Sequence, residues 1–266
     1  MKKATFTLLG VGTSSGVPRV GCNCSVCHDC KPGSKNFRQR VAALLEIDGK
    51  KLLIDAGPDI RNQLLEHKVE RIDALLVTHN HFDHIAGIDD VKWATDYRRE
   101  SIPIYANRPT IVDLKKRIGY LLKPVAMGVL PAFYLREIKK WEVLEFDSIK
   151  VQTLFYSQQN EGHSRPTQVC GFRIGNLAFL TDIKQYDARL IRALKGVKTL
   201  IVGAIRDGES VAHFTFDEAY QFSKLVKAKK SVFIHLDHTV DYHLASKRLP
   251  PNVELGYDGW KTEIDG

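Results

Sequence analysis

The sequence predicts an α/β protein in which β-sheets are sandwiched between layers of helices. Short apolar runs that end at Gly or Asp recur along the chain and are typical of strands, while segments with helical periodicity lie between the later runs. The 266 residues contain no internal repeat, low-complexity tract or linker, and a layered fold of this size is commonly one unit. We therefore expect a single domain over residues 1–266.

The apolar runs locate the strands. Residues 1–10 combine two lysines with a short apolar run that Thr interrupts, and they lack a small-residue cleavage pattern, so we expect a first strand and not a signal peptide. Asp48 and Gly49 separate two later runs, which predicts a hairpin. The other candidate strands are 42–47, 52–55, 74–77, 102–106, 149–155, 171–174, 177–180, 199–202 and 232–234.

Helical periodicity marks the segments 59–67, 109–122, 187–194 and 216–228. The last of these has Asp217 and Glu218 near its amino end, where negative charge is favourable. Strands in hairpins thus dominate the first half of the chain and helices intervene later. This order predicts the layered arrangement.

The composition is that of an ordinary globular chain, with 44% hydrophobic and 26% charged residues. No apolar run is long enough to span a bilayer, so we expect a cytoplasmic protein without a membrane partner. The formal net charge of +8 favours anionic ligands. Because the basic residues are scattered and not gathered in one tract with aromatics, they indicate a solvated surface, and a nucleic-acid partner is not favoured.

Four metal-binding side chains follow the predicted strand 74–77, namely His79, His81, Asp83 and His84. Imidazole and carboxylate groups that leave a strand together can meet at one point, and Zn2+ or Mn2+ favours such ligands. Gly87 is expected to help the chain turn close to this site.

Asp182 and His235 also stand directly after predicted strands, so they can converge on the same sheet edge. Taken alone, Asp182 is more typical of a turn or cap and His235 of a buried core histidine.

The His-x-His-x-Asp-His motif at 79–84, preceded by Leu53-Ile54-Asp55-Ala56-Gly57 and followed by a lone His, an Asp and a final His, resembles the metallo-β-lactamase superfamily. This resemblance covers nearly the whole chain and implies an αββα sandwich. It also implies two divalent cations, Zn2+ or Mn2+. The implied ligands are His79, His81 and His163 for one cation and Asp83, His84 and His235 for the other, with Asp182 bridging them.

Four of the five cysteines lie within residues 22–30, at positions 22, 24, 27 and 30. In a reduced cytoplasm such clustering favours a soft metal over disulfides, and a closed zinc site needs four ligands. The superfamily ligand set leaves His238 unused, which makes it the preferred fourth ligand. His28 and Cys30 compete for that position.

A closer resemblance supports His238. The pattern Gly-x-Gly-x-x-x-Gly-Val-Pro at 10–18, the cysteine motif, the pair His235 and His238, and Gly-Tyr-Asp-Gly at 256–259 are similar to the phosphoribosyl 1,2-cyclic phosphate phosphodiesterase (PhnP-like) branch. That branch implies one structural Zn2+ on Cys22, Cys24, Cys27 and His238. It also places His213 beside the scissile phosphate.

His213 therefore has two interpretations. As a catalytic residue it can hydrogen-bond a phosphoryl oxygen and protonate the leaving alkoxide. Its structural interpretation is a residue next to the amino end of a helix capped by Thr215.

The predicted function is metal-dependent hydrolysis of a small phosphodiester, with a cyclic ribosyl phosphate as one candidate. Two close cations lower the pKa of a bridging water, so hydroxide is the nucleophile and Ser164 and Cys170 are not. One alternative is a tRNA 3′-processing endonuclease, which the cysteine cluster disfavours although the apolar stretch 121–136 could form a lid. Another is a non-catalytic binding member of the fold. A homodimer is compatible with each of these functions.

Overall fold

The computed structural model describes residues 3–95, 99–147, 149–159, 162 and 165–265, and within these ranges two β-sheets face each other with helices on both outer faces. In their order across the first sheet, the strands are β14 (Lys261–Asp265), β1 (Lys3–Gly10), β2 (Ala42–Ile47), β3 (Lys50–Ile54), β4 (Ala74–Leu76), β5 (Ile102–Ala106) and β6 (Phe133–Glu137). In the second sheet they are β13 (Val253–Leu255), β12 (Lys230–Ile234), β11 (Thr199–Gly203), β10 (Leu177–Leu180), β9 (Thr167–Ile174), β8 (Ile149–Gln158) and β7 (Val143–Phe146). The helices are α1 (Ser25–Asp29), α2 (Ile60–Glu66), α3 (Phe82–Ile85), α4 (Ile88–Val91), α5 (Arg108–Arg117), α6 (Ala188–Ala193), α7 (Phe216–Val226) and α8 (Tyr242–Ser246).

Among the described residues, three large apolar layers make up most of the core, which explains the four-layer αββα arrangement. The inner faces of the two sheets meet in a fully buried layer, where for example the rings of Phe6 and Phe179 lie 5.8 Å apart. A second layer lies between the first sheet and helices that include α2 and α5, and a third lies between the second sheet and α6 and α7. The central strands are buried on both faces, as their continuous apolar runs require. The predicted αββα sandwich is confirmed.

The predicted hairpin at Asp48 and Gly49 is confirmed. These two residues join the antiparallel strands β2 and β3, and Ile47 pairs with Lys50. Both turn residues have positive φ, 52° and 77°, which matches the right-handed twist of the strands.

The expectation that hairpins dominate the first half is wrong beyond this point. Strands β3, β4, β5 and β6 are mutually parallel, as are β10, β11, β12 and β13. Parallel neighbours need a crossover, and helices such as α2 and α5 supply it. As a result, the carboxyl ends of parallel strands share one edge of each sheet.

The expectation of a lid at 121–136 is wrong for its final part. Residues 133–136 belong to β6, which pairs with β5 in parallel from Ile102 opposite Phe133. The connection that leads into β6 therefore lies at the amino ends of these strands, away from the edge where the chain leaves β4 toward His79. The edge strands β6, β7, β13 and β14 were not predicted, because short, partly exposed strands lack a continuous apolar run.

Helix ends differ slightly from the periodicity. The predicted helix 109–122 divides into α5 and a 3₁₀ turn, Gly119–Leu122, because Ile118 leaves the helical conformation. Helix α7 begins with a capping box, in which the Thr215 side chain accepts from the Glu218 amide and the Glu218 carboxylate accepts from the Thr215 amide. Within the described part of the chain, no helix combines the length and hydrophobicity that crossing a membrane requires.

Candidate metal centre

Polar side chains leave the carboxyl ends of strands in both sheets at one common edge. Asp55 follows β3, His79 follows β4, Asp182 follows β10 and His235 follows β12. Asp55, Asp182 and His235 have left-handed φ values of 62°, 51° and 59°. Such a conformation is uncommon for residues other than glycine and turns the chain sharply away from the strand. At this edge, polar residues thus follow the strands in backbone conformations that residues other than glycine rarely adopt.

The loop after β4 continues into the short helix α3, which presents Asp83 and His84 on the same side as His79. The rings of His79 and His84 lie 4.2 Å apart and those of His79 and His81 4.5 Å apart. Backbone bonding also joins the two sheets here, since the Cys170 amide donates to the Thr78 carbonyl oxygen at 2.9 Å.

Asp55 fixes the orientation of this loop. Its fully buried carboxylate accepts from the Thr78 amide and hydroxyl, each at 2.8 Å, and from Nδ1 of His84 at 2.7 Å. The Nδ1 bond leaves Nε2 of His84 free to face the centre, which is how carboxylates commonly orient metal-binding histidines. The sequence motif contains Asp55, but the motif alone predicts no role for this residue. Its position directly after a buried strand was the signal that marked Asp182 as well.

The donor atoms converge around Asp182. Its Oδ1 lies 3.4 Å from Nε2 of His84 and 3.4 Å from Nδ1 of His235, and its Oδ2 lies 3.9 Å from Nε2 of His79. Nε2 of His84 also lies 3.3 Å from Oδ2 of Asp83. Three of the predicted ligands thus surround Asp182, and a fourth, Asp83, lies beside His84.

A test of whether these residues fit a cation comes from their hydrogen bonding. Nε2 of His79, Nε2 of His84 and Nδ1 of His235 are buried and have no hydrogen-bond partner among the described residues. Buried polar atoms are almost always paired, so these converging unpaired nitrogens call for a further partner. A divalent cation fits a donor set of neutral imidazoles and carboxylates.

The charges are consistent with this fit. Burial opposes ionisation of Asp182, but His235, His84 and His79 outweigh it and hold its pKa well below the usual value. Burial lowers the pKa of His79 well below its usual value, which leaves a neutral ring. Burial also opposes charge on His84, yet Asp83, Asp55 and Asp182 raise its pKa well above the usual value. These carboxylates therefore stabilise a positive charge at the centre.

The other predicted ligands are less closely grouped. Nε2 of His81 lies 3.4 Å from Oγ1 of Thr167, and its half-buried ring packs near His79. His163, the implied partner of these two histidines, lies outside the described residues, as does Ser164. The paired ends of β8 and β9 do reach the centre, because Gln158 contacts His213 and Thr167, which lies opposite it, contacts His81.

His213 lies beside the centre on the segment before α7. Its Nδ1 is 3.8 Å from Oδ2 of Asp182, its Nε2 is 3.2 Å from the Gln158 amide nitrogen, and its ring is 4.6 Å from that of His235. Nδ1 is buried without a hydrogen-bond partner among the described residues. Burial, followed by the charge of His235, lowers the pKa of His213 to about 4. At neutral pH this imidazole is therefore uncharged.

A second donor cluster joins the amino-terminal loop to the segment after β12. The Sγ atoms of Cys22, Cys24 and Cys27 and a nitrogen of His238 all lie within 4.8 Å of one another, with Nδ1 of His238 3.4 Å from Cys22 and 3.6 Å from Cys24. Three thiols and one imidazole form a donor set typical of structural zinc.

The two competitors for the fourth position lie elsewhere. His28 is exposed and bonds Asp29 at 2.9 Å through Nδ1, and the Cys30 thiol points at the Val17 carbonyl oxygen, 3.8 Å away. Cys170 is buried in the core, where burial raises its pKa far above the usual value, so it is not a nucleophile at neutral pH.

Comparison with known proteins agrees with the fold. The family described as "Beta-lactamase superfamily domain" matches residues 50–236, so the chain belongs to the metallo-β-lactamase superfamily. The solved structure of a diphosphatase from the PhnP family is 31% identical, with a TM-score of 0.88 over 99% of this chain and 98% of that one. Within the superfamily, the chain belongs to this PhnP branch.

Two other relatives broaden the comparison. Zinc-bound PqqB from Methylobacterium extorquens shares the fold at 17% identity, with a TM-score of 0.80 over 98% of this chain and 100% of that one. A protein named octanoyltransferase from Porphyromonas gingivalis is 34% identical over 97% of this chain. The match spans only 51% of that protein, so about half of its length has no counterpart here.

Proposed function

We propose that this protein is a metal-dependent phosphodiesterase that hydrolyses a small phosphodiester, with a cyclic ribosyl phosphate as the first candidate. The observation that carries the proposal is the convergence of unpaired buried nitrogens from His79, His84 and His235 on the carboxylate of Asp182. The similarity to a PhnP-family diphosphatase supports a phosphate compound as the substrate class.

Two divalent cations, Zn2+ or Mn2+, are the proposed cofactors. His79, His81 and His163 would hold one, Asp83, His84 and His235 the other, and Asp182 both. When bound, such cations lower the pKa of water and withdraw charge from a phosphoryl group. The third proposed ion is a structural Zn2+ on Cys22, Cys24, Cys27 and His238.

The protein side chains supply orientation and a hydrogen-bond donor. The Gln158 amide donates to Nε2 of the neutral His213 ring, so the ring proton resides on Nδ1. Nδ1 is the nitrogen that faces Asp182, and its N–H has no acceptor among the described residues. A phosphoryl oxygen held at the centre would accept this hydrogen bond, which strengthens as negative charge develops in the transition state.

The similarity to an octanoyltransferase does not redirect the proposal. That name belongs to a protein about twice as long as the matched region, so it does not identify the chemistry of the matched half. The buried His and Asp donors are instead suited to metal-assisted hydrolysis.

The test measures metal content and hydrolysis in the parent, in His81→Ala and in Asp182→Ala. We expect the parent to hydrolyse a nitrophenyl phosphodiester and a ribosyl cyclic phosphodiester when it is supplied with Zn2+ or Mn2+. Each variant should remain folded and lose nearly all turnover, because it lacks a metal ligand. Asp147→Ala, which removes a carboxylate that is 75% exposed, is the matched control and should retain full activity.

Three outcomes would contradict the proposal. Near-normal turnover with normal metal content in Asp182→Ala would refute the site. Cleavage of a tRNA precursor without activity on small diesters would favour the endonuclease alternative. A metal-replete parent that cleaves neither the tRNA precursor nor the small diesters would indicate a binding protein.

A further inference from the structure

The segment that carries His213 has little structure of its own. It connects β11, which ends at Gly203, to α7, which begins at Phe216, without a helix or strand between them. Residues 207–209 and Val211 are exposed, the last of them 62%. A catalytic group on such a segment is useful only if other contacts fix it, since a displacement of about 1 Å can cost ~10²-fold in rate.

Lys184 supplies a cross-link to this segment. It lies two residues after Asp182, and only 19% of its side chain is exposed. Its ammonium donates to the Ser210 carbonyl oxygen at 2.7 Å and to both carboxylate oxygens of Glu218 at 2.7 and 2.9 Å. The three donors of one lysine are thus all used.

These contacts connect three pieces of chain that meet at the centre. Ser210 also accepts from the His213 amide through its hydroxyl at 3.2 Å, and Glu218 belongs to the capping box that begins α7. The next amide, that of Phe214, donates to the Ile183 carbonyl oxygen at 2.8 Å. His213 is therefore anchored on both sides to the residues that immediately follow Asp182.

The chemistry of the contact favours a charged donor. Glu218 already accepts from the Thr215 amide, and its side chain is 42% exposed, so a cation beside it balances a charge that water only partly solvates. A partly buried ammonium with three acceptors provides this balance, and its charge-assisted hydrogen bonds are stronger than neutral ones. An apolar side chain of similar length would leave the Ser210 carbonyl oxygen and Glu218 without this partner.

We propose that Lys184 is a positioning residue that sets the place of the His213 imidazole relative to Asp182 by fastening Ser210 and Glu218. The expected effect of Lys184 on kcat rests on the proposed hydrolytic function. Its effect on the position of His213 does not.

The experiment compares Lys184→Met, Lys184→Arg and Lys92→Met with the parent. Lys92 is a matched control, because 19% of its side chain is also exposed and its ammonium lies 2.8 Å from Asp89, whose exposure of 44% is close to the 42% of Glu218. Its ion pair lies within one helical turn and does not involve the segment 204–215.

The first readout is amide hydrogen exchange without substrate. In Lys184→Met we expect faster exchange at His213 and Phe214 than in the parent, while Lys184→Arg and Lys92→Met stay close to it. The second is steady-state kinetics, where Lys184→Met should lower kcat by roughly 10- to 100-fold with little change in KM or metal content. The double variant Lys184→Met/His213→Ala should be no slower than His213→Ala, because both changes remove the same contribution.

Unchanged exchange at His213 and Phe214 in a folded Lys184→Met protein would overturn the inference. A loss of bound metal that accounts for the fall in kcat would do the same, because Lys184 would then act through Asp182 alone. If the parent hydrolyses no phosphodiester, the proposed function fails, yet the exchange comparison still decides whether Lys184 holds the segment.

Discussion

At the scale of single residues, the centre depends on which nitrogen of each histidine faces inward. Asp55 binds Nδ1 of His84 and Gln158 binds Nε2 of His213, so a different ring atom faces Asp182 in the two cases. Each partner therefore fixes the orientation of one imidazole ring. Loss of either partner would free that ring to turn and present its other nitrogen to the centre.

His213 should contribute a hydrogen bond and not a proton. Its pKa of about 4 leaves it neutral at pH 7, so we expect His213→Ala to lower kcat by about 10²-fold for both an alkyl and a nitrophenyl phosphodiester. Metal content should not change. Turnover of the two esters at matched metal occupancy checks this, with His243→Ala on the exposed face of α8 as the control.

A loss confined to the alkyl ester would instead show that His213 protonates the leaving group, since a phenolate departs without a proton. If neither ester is affected, His213 has only the structural role of a residue next to the Thr215 cap.

At the scale of elements, close packing of glycine backbones positions α3. A Cβ on Gly57 would overlap the Asp83 carbonyl oxygen, and a Cβ on Gly87 would overlap the Gly57 carbonyl oxygen and the Ile60 side chain. Gly87 has an ordinary φ of −96°, so it is needed for space and not for the turn that the sequence suggested. The helix that carries Asp83 and His84 can approach β3 only because these side chains are absent.

Replacement of Gly87 by Ala should therefore displace α3. We expect Gly87→Ala to destabilise the protein by roughly 2 kcal/mol and to weaken metal binding, because overpacking moves backbone and not only side chains. Denaturant unfolding and metal titration measure the two effects. Gly119→Ala is the control, because a Cβ there meets open space at an ordinary φ. Equal behaviour of the two variants would show that α3 tolerates the extra carbon.

At the scale of the whole molecule, two contacts join regions that are far apart in sequence. The cysteine cluster connects residues 22–27 with His238. Asp258, within the Gly-Tyr-Asp-Gly motif, accepts from the amides of Val11 at 3.1 Å and Gln39 at 2.7 Å. Both contacts hold the connection between β1 and β2 against the later part of the fold.

Loss of a cysteine ligand should affect stability more than chemistry. We expect Cys24→Ser to bind one zinc fewer and to lose at least ~2 kcal/mol, which lowers Tm by roughly 4–8 °C in a chain of this size. Metal analysis and thermal unfolding test this, and Cys30→Ser, outside the four-residue cluster, is the control. Equal Tm values for metal-replete Cys24→Ser and the parent would remove the case for a structural zinc.

Asp258 should make stability depend on pH. Burial raises its pKa to about 7, above the ordinary value of 3.8, although Gln39, Val11 and Arg38 oppose the shift. Because the pKa of Asp258 is higher in the folded state, its protonated carboxyl group stabilises the fold fully below pH 3.8. This stabilisation is lost as the pH rises through 7. The carboxylate borders a cavity of about 300 Å³ and is partly accessible to water, which limits the effect.

Between pH 4 and pH 7, the parent should lose about 1–2 kcal/mol of unfolding free energy relative to Asp258→Asn. Denaturant unfolding across this range measures the difference, and Asp147→Asn, at an exposed carboxylate, should show no such trend. A parent-to-variant difference that is constant with pH would show that Asp258 is ionised throughout.

The local sequence alone determined much of the centre. His79, His81, Asp83 and His84 lie within six residues after an apolar run, and Asp182 and His235 each end another run. Periodicity and apolar runs depend on neighbouring residues, so they locate these side chains at strand ends without knowledge of the fold. The hairpin at Asp48 and Gly49 was predictable for the same reason, because its two residues themselves adopt the required φ values.

Only the tertiary structure decided what depends on distant partners. Sequence spacing could not choose between His238, His28 and Cys30, whereas the fold brings His238 across more than 200 residues to Cys22. It also decided that β3 to β6 are parallel, and that Asp55 orients His84 and Lys184 fastens the His213 segment. Strand direction and side-chain partnership are set by which surfaces pack together, and that packing energy is a property of the assembled sheets and not of any single segment.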